Sequence, residues 1–190
     1  MNPANPANLI TSERGMIASR FRMADLFGFL ETHRIGYQRT DHPAVFTVEE
    51  ARRLVPPLPA TPTKNLFLRD QKGARHFLVV VAHDKAVDLK ALAPAIGSSK
   101  LSLGSPERLA ARLGIEPGAV SLLALVNDPG HAVEVFIDRA LWQAEALQCH
   151  PLVNTATLVI PKDDVERFLK ATGHAWRLVD VPAREAREGP

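Results

Sequence analysis

The chain has 190 residues, 46% hydrophobic and 23% charged, enough for one hydrophobic core and too few for two domains of typical size. Lys plus Arg total 23 against 21 Asp plus Glu, a net charge of +2, which excludes a protein that coats nucleic acid by charge alone but leaves room for a local basic patch. The single cysteine, Cys149, forbids an intrachain disulfide and fits a reducing cytoplasm; the opening Met1-Asn2-Pro3-Ala4 lacks the basic and apolar regions of a signal peptide, and no apolar run approaches the roughly 18 residues of a membrane span.

Residues 1–16 read as a mobile leader, 17–182 as one domain and 183–190 as a charged, frayed tail. Ile17, Phe21, Ala24, Phe27 and Leu30 recur at helical spacing, with Gly36 past the helix end. Tyr37–Thr40 suits a short strand, and Asp41-His42-Pro43 turns the chain. Thr47 and Glu50 form a capping box for a helix reaching about Leu54. Pro56, Pro57, Pro59 and Pro62 stiffen an extended connector, read as a surface loop, with a pocket wall as the alternative.

Asn65–Arg69 and His76–Ala82 form a hairpin about the turn Asp70–Gly73. Phe77–Val81 is apolar on both faces, which predicts a central strand. Asp88–Ile96 reads as a helix, and a second begins at Ser105-Pro106 and stops at Gly114. Val120–Val126 and Val133–Ile137 read as strands about Asn127–Gly130, and Asp138–Ala146 as a helix. Ala156–Ile160 is a strand, Asp163–Thr172 a helix and Trp176–Val181 an edge strand. Hairpins mixed with helices predict a single α+β domain, a mixed β-sheet surrounded by helices.

The chain has no Gly-x-Ser-x-Gly elbow, phosphate-binding Gly-x-x-x-x-Gly-Lys run or dinucleotide fingerprint. No two of its seven histidines are four apart and it offers no thiolate cluster, so no metal site and no cofactor are expected. Cys149 beside His150 reads as an inert, partly buried thiol, since neighbours on a strand point to opposite sides.

Four segments occur in order: Asp41-His42-Pro43-Ala44-Val45-Phe46-Thr47, Thr63-Lys64-Asn65-Leu66-Phe67-Leu68, Leu103-Gly104-Ser105-Pro106-Glu107-Arg108-Leu109 and His150-Pro151-Leu152-Val153-Asn154-Thr155-Ala156-Thr157. Together they resemble the YbaK/prolyl-tRNA-synthetase-associated domain family, most of all its free-standing bacterial members that deacylate alanyl-tRNA(Pro) in trans. The similarity runs from about Tyr37 to Val179. It implies a curved mixed sheet and hydrolysis of the ester joining a wrong amino acid to the terminal ribose of tRNA(Pro).

By that resemblance Lys64 matches an essential lysine, whose ammonium suits a terminal phosphate or developing negative charge at the ester. Asn65 is a candidate for hydrogen-bonding the ribose or the amino group. Gly118-Ala119-Val120-Ser121-Leu122 matches a substrate-facing Gly-x-x-x-Pro loop, with Leu122 where proline is usual; Gly118 and Ser121 enter as substrate-binding candidates on that ground. His150 matches a histidine bordering the amino-acid pocket, with a steric and hydrogen-bonding role rather than that of a general base; a neutral imidazole that orients water is the alternative. Asn154 reads as structural and His42 as a turn residue.

Alanine lacks atoms that proline has, and a missing methylene is worth only roughly 1–3 kcal/mol of discrimination. A second pocket too small for proline solves this, with Val45, Phe46 and Leu103 as candidate walls. The resemblance also implies that the neighbouring ribose hydroxyl assists water attack. Arg39, Lys64, Arg69, Lys72 and Lys100 are candidate contacts to the acceptor end of tRNA, and prolyl-tRNA synthetase is a further candidate partner. Two alternatives stay open: a deacylase for another small residue, cysteine or serine, and a non-catalytic module binding tRNA or synthetase.

Overall fold

A computed structural model describes residues 22–45 and 47–184. The leader 1–16, the first helical positions Ile17 and Phe21, the candidate wall Phe46 and the tail from 185 lie outside them.

The elements run α1 (Met23–Thr32), β1 (Gln38–Asp41), α2 (Val48–Leu54), β2 (Thr61–Asp70), β3 (His76–Ala82), α3 (Leu89–Ala95), β4 (Leu101–Leu103), α4 (Pro106–Leu113), a 3-10 helix at Leu122–Asn127, β5 (Val133–Asp138), a 3-10 turn at Leu141–Gln143, β6 (Ala146–Cys149), β7 (Ala156–Pro161), α5 (Lys162–Ala171) and β8 (Trp176–Val179). Eight strands form one mixed sheet in the order β1-β7-β6-β2-β3-β5-β8, with β4 added beside β2. The expected mixed sheet surrounded by helices is found.

Side-chain alternation along β3 explains why the strand is central. Leu78 and Val80 enter one core with Leu26 and Leu30 of α1, Leu109 and Leu113 of α4 and Phe168 of α5. Phe77, Val79 and Val81 enter the core on the opposite face, with Leu92 and Ala93 of α3. Every residue from His76 to Val81 is buried, as expected of a strand covered on both faces.

The end signals act as their chemistry predicts. Thr47 and Glu50 exchange side-chain and backbone hydrogen bonds at the start of α2. The Ser105 hydroxyl oxygen accepts from the Arg108 N–H at the start of α4, and Gly114 ends that helix at φ 66. Asp70 Oδ1 accepts from Ala74 and Arg75 N–H across the hairpin turn, an Asx-type lock.

Two elements differ from expectation. Residues 122–126 form a buried 3-10 helix rather than a strand, with the Ser121 hydroxyl accepting from Leu123 N–H. A continuous apolar run does not distinguish a buried strand from a buried helical segment. The expected helix over Asp138–Ala146 is a single 3-10 turn that leads into β6, where Leu147 and Cys149 are buried and Ala146 and Gln148 are not. That alternation has a strand's period of two. β2 also begins earlier than expected, at Thr61 inside the proline-rich connector. The start of the expected frayed tail is tied down, because Ala183 bridges Val87 and Arg184 N–H donates to Ala86 C=O.

At the end of the 3-10 helix at Leu122–Asn127, which Asp128 caps, Asp128 and His174 form a buried pair, Oδ2 to Nε2 at 3.4 Å. Asp128 also accepts from the Ala132 and Val133 N–H groups ahead of β5. Burial pushes its carboxyl up, but His174 and those two amides outweigh burial and hold it below the ordinary carboxylate value. The stabilisation is therefore complete above the unfolded value of about 3.9 and is lost as pH falls through the lowered folded value. Asp128→Ala should cost about 3 kcal/mol at pH 7 in urea unfolding, and the gap to wild type should shrink below about pH 4.

Candidate functional site

β2 changes neighbours along its length. Thr61 and Pro62 pair in parallel with β6, whereas Leu68 to Asp70 pair with β4 on the same edge. On the opposite edge β3 pairs continuously from Thr63 to Arg69. The stretch between β6 and β4 therefore has no strand beside it. The Gly104 N–H donates to Phe67 C=O across this edge, and peptide groups alternate along a strand, so the N–H and C=O of Asn65 point the same way, into the gap.

A cavity of about 540 Å³ fills that gap. Lys64, Asn65, Gly118, His150 and Val45 line it, as do Thr63, Thr157, Gln148 and Cys149. Another wall is the proline connector, through Val55, Pro56, Pro57 and Leu58; the alternative weighed for that segment is what the structure contains. The volume far exceeds a methyl group and suits a drug-sized ligand, so a filter for alanine must occupy only part of it.

Lys64 and Asn65 approach from opposite sides of the strand. Lys64 pairs with Val81 and Asn65 with Val80, residues that belong to different cores. The Lys64 ammonium donates to Lys85 C=O at 2.7 Å, in the turn after β3. That turn is fixed in its own right, since Lys85 Nζ pairs with the buried Asp138 at 2.7 Å and Asp138 also accepts from Val181 N–H. Burial lowers the Lys64 pKa below the ordinary lysine value, with Asp84 opposing in part. An ammonium has three N–H donors, so two remain beyond the one given to Lys85. On the other side, Asn65 Oδ1 is buried with no hydrogen-bond donor, a group whose desolvation goes uncompensated in the empty cavity.

His150 Nδ1 lies 3.1 Å from Ala156 C=O. A carbonyl only accepts, so the proton sits on Nδ1 and the neutral ring keeps Nε2 as an acceptor. Burial lowers the His150 pKa, aided by nearby His42 and opposed by the Ala156 bond, which favours the neutral ring. Gly118 adopts φ +90, a region that favours glycine. Gly118 and Val120 both line the cavity, and neither N–H donates to a protein acceptor among the described residues.

The remaining candidates separate. Val45 is buried in the wall, held by Asn154, whose amide donates to Val45 C=O and whose own C=O accepts Val45 N–H; Asn154 is structural, as read. Ser121 is wholly buried as the cap of the 3-10 helix and does not line the cavity. Leu122 is buried in that same helix, so the departure from proline lies in the core, away from the wall. Leu103 is 64% exposed on β4, away from the cavity. Cys149 is buried, and burial pushes its thiol up to about 12, which leaves it protonated and inert. Among the described residues no group of three His, Cys, Asp or Glu side chains is placed to hold a metal ion, and no helix is long and apolar enough to cross a membrane.

Sequence reasoning missed Arg52, an exposed residue of α2 that lines the cavity with no ion-pair partner among the described residues. The signal was the pair Arg52-Arg53 directly ahead of the proline connector. It also missed Thr63 and Thr157. Arg39 is engaged with Asp41 at 2.6 Å, and Arg69 donates to the carbonyls of Asp70 and Gln71.

Comparison with known proteins identifies the family. The Prolyl-tRNA editing protein ProX of Acetoanaerobium sticklandii is 38% identical over 152 residues, covering 80% of this chain and 93% of that one. The Prolyl-tRNA synthetase associated domain-containing protein 1 of Danio rerio is 39% identical over 152 residues, covering 79% and 82%. Among solved structures, hypothetical protein APE2540 superposes with a TM-score of 0.64 at 19% identity, over 81% of this chain and 97% of that one. A candidate trans-editing enzyme for prolyl tRNA synthetase gives 0.61 at 20%, over 85% and 98%; at such identities the likeness concerns the fold alone. Residues 42–168 match the aminoacyl-tRNA editing domain family, a span that takes in every cavity-lining segment from Val45 to Thr157, and the chain belongs to that family.

Proposed function

We propose that this protein is a cytoplasmic trans-editing hydrolase that removes alanine from mischarged tRNA(Pro). The observation that carries the reading is the strand-free edge of β2, where Lys64, Gly118 and Val120 line one cavity and neither the Gly118 nor the Val120 N–H is given to a protein acceptor among the described residues. The relative named as a prolyl-tRNA editing protein supports the tRNA(Pro) ester as substrate.

The chemistry needs little machinery. Water adds to the ester carbonyl carbon, and negative charge develops on the carbonyl oxygen. Donors already in place stabilise that charge without reorganising, and here they are the free N–H groups of Lys64, Gly118 and Val120. The bond from carbon to the ribose oxygen then breaks, that oxygen takes a proton, and free alanine and tRNA leave. The adjacent ribose hydroxyl orients the water, which accounts for catalysis without a protein nucleophile. The filter against proline lies in the part of the cavity walled by Val45, and Arg52 at the rim meets a phosphate of the acceptor end.

With alanyl-tRNA(Pro), Lys64→Ala should lower kcat/KM by about 100-fold or more, and Lys64→Arg should not restore it, because a guanidinium is a planar fork where the site holds a compact ammonium. Full activity in Lys64→Ala would sink the proposal. Prolyl-tRNA(Pro) should be spared, and faster release of cysteine or serine would replace alanine as the substrate. Arg52→Ala should raise KM with little change in kcat, and the slope of log affinity against log salt should flatten by about one.

A further inference from the structure

Asp138 ends β5 and is 2% exposed, and the hydrolysis makes no direct use of it. Both of its carboxylate oxygens are engaged. Oδ2 lies 2.7 Å from Lys85 Nζ, and Oδ1 accepts the Val181 N–H at 3.2 Å. A buried ion pair is a poor device for stability alone, because apolar side chains of the same volume often serve as well or better. Its distinctive property is a fixed position, since a buried charge must keep its partner.

The pair bears on one peptide group. Lys85 sits in the turn after β3, and the backbone around it is held by three bonds: Lys85 N–H to Ala82 C=O, His83 N–H to Pro62 C=O and Arg184 N–H to Ala86 C=O. None of these holds the Lys85 C=O, which among the described residues accepts from Lys64 Nζ at 2.7 Å. The side chain of Lys85, drawn out to Asp138, restricts how that carbonyl can turn. Neither Lys85 nor Asp138 lines the cavity beside the bare edge of β2; they wall a second cavity of about 680 Å³, together with Thr61, Gln143 and Arg184. Their route to the ester therefore runs through the Lys64 ammonium.

We propose that Lys85 and Asp138 are positioning residues: their ion pair aims the Lys85 carbonyl, and that carbonyl aims the Lys64 ammonium at the oxygen where charge develops. The inference rests on the deacylase reading for the reaction and adds how its cation is held. With the Cε–Nζ bond and one N–H direction set, tetrahedral geometry sets the other two donors. An ammonium tethered in this way needs no reorganisation as charge develops. An untethered one swings on a flexible four-carbon stem, and a misplacement of about 1 Å is worth about 100-fold in rate.

Kinetics and structure test this together. With alanyl-tRNA(Pro), Asp138→Asn removes the charge and keeps an acceptor for the Val181 N–H; it should lower kcat by about 10- to 100-fold, with KM within about twofold. Lys85→Met should do the same, and Lys85→Arg, which still brings a cation to Asp138, should recover most of the loss. In a Lys64→Ala background Asp138→Asn should change the remaining rate by less than about twofold, because the group it positions is gone. Equal losses in both backgrounds would mark a general structural role and overturn the inference, as would an unchanged kcat in Asp138→Asn and Lys85→Met. Crystal structures of these two variants read the position without turnover: Lys64 Nζ should leave the Lys85 C=O, and a contact kept at 2.7 Å in both refutes the proposal. If Asp138→Asn does not fold, Lys85→Met carries both measurements; if neither folds, the pair is a requirement of the fold and the inference falls. A wild type that does not hydrolyse alanyl-tRNA(Pro) sinks the deacylase reading, and the variant structures then decide this one alone.

Discussion

A buried peptide group needs a partner, and β2 meets that need unequally along its two edges. On one edge β3 supplies partners from Thr63 to Arg69. On the other, β6 and β4 cover the ends and leave the middle bare. The cavity sits over that bare stretch, and the groups that line it inherit their polarity from the sheet. Closing the gap with another strand would remove the site and leave the two cores nearly unchanged, since both are organised around β3.

The cavity receives side chains from both faces of β2. Lys64 comes from the face of β2 that packs toward α3, and its ammonium is steadied by a backbone carbonyl in a turn that is itself tied to Asp138. Thr63 and Asn65 come from the other face. Beyond them His150, just after β6, and Thr157 of β7 are each hydrogen-bonded to neighbouring atoms. A strand's alternation is enough to put an ammonium and a carboxamide on either side of one opening. The same alternation explains why Lys64 and Asn65, adjacent in sequence, have opposite duties.

Much of this was legible in the sequence. The run Phe77–Val81 announced a central strand, and the caps at Thr47, Ser105 and Gly114 acted as local chemistry requires. Lys64, Asn65, Gly118 and His150 were singled out together by family resemblance, and they line one cavity. What escaped was set by tertiary contacts. Leu122–Val126 is apolar throughout, so its periodicity carries no information about helix or strand, and only the Ser121 cap hinted at the helical form. The short alternation of β6 is too brief to compete with the helical spacing of its surroundings. His42 read as a turn residue because its link to Thr157 spans 115 positions in the chain.

Cys149 lines the cavity and yet is buried, with its thiol pushed up to about 12. At neutral pH the thiolate share is then on the order of one in 100,000, and both peroxides and electrophiles react with the thiolate. The pocket contains the chain's one sulfhydryl in a form that oxidants scarcely touch. A pocket lined in this way does not rest on the redox state of a cysteine.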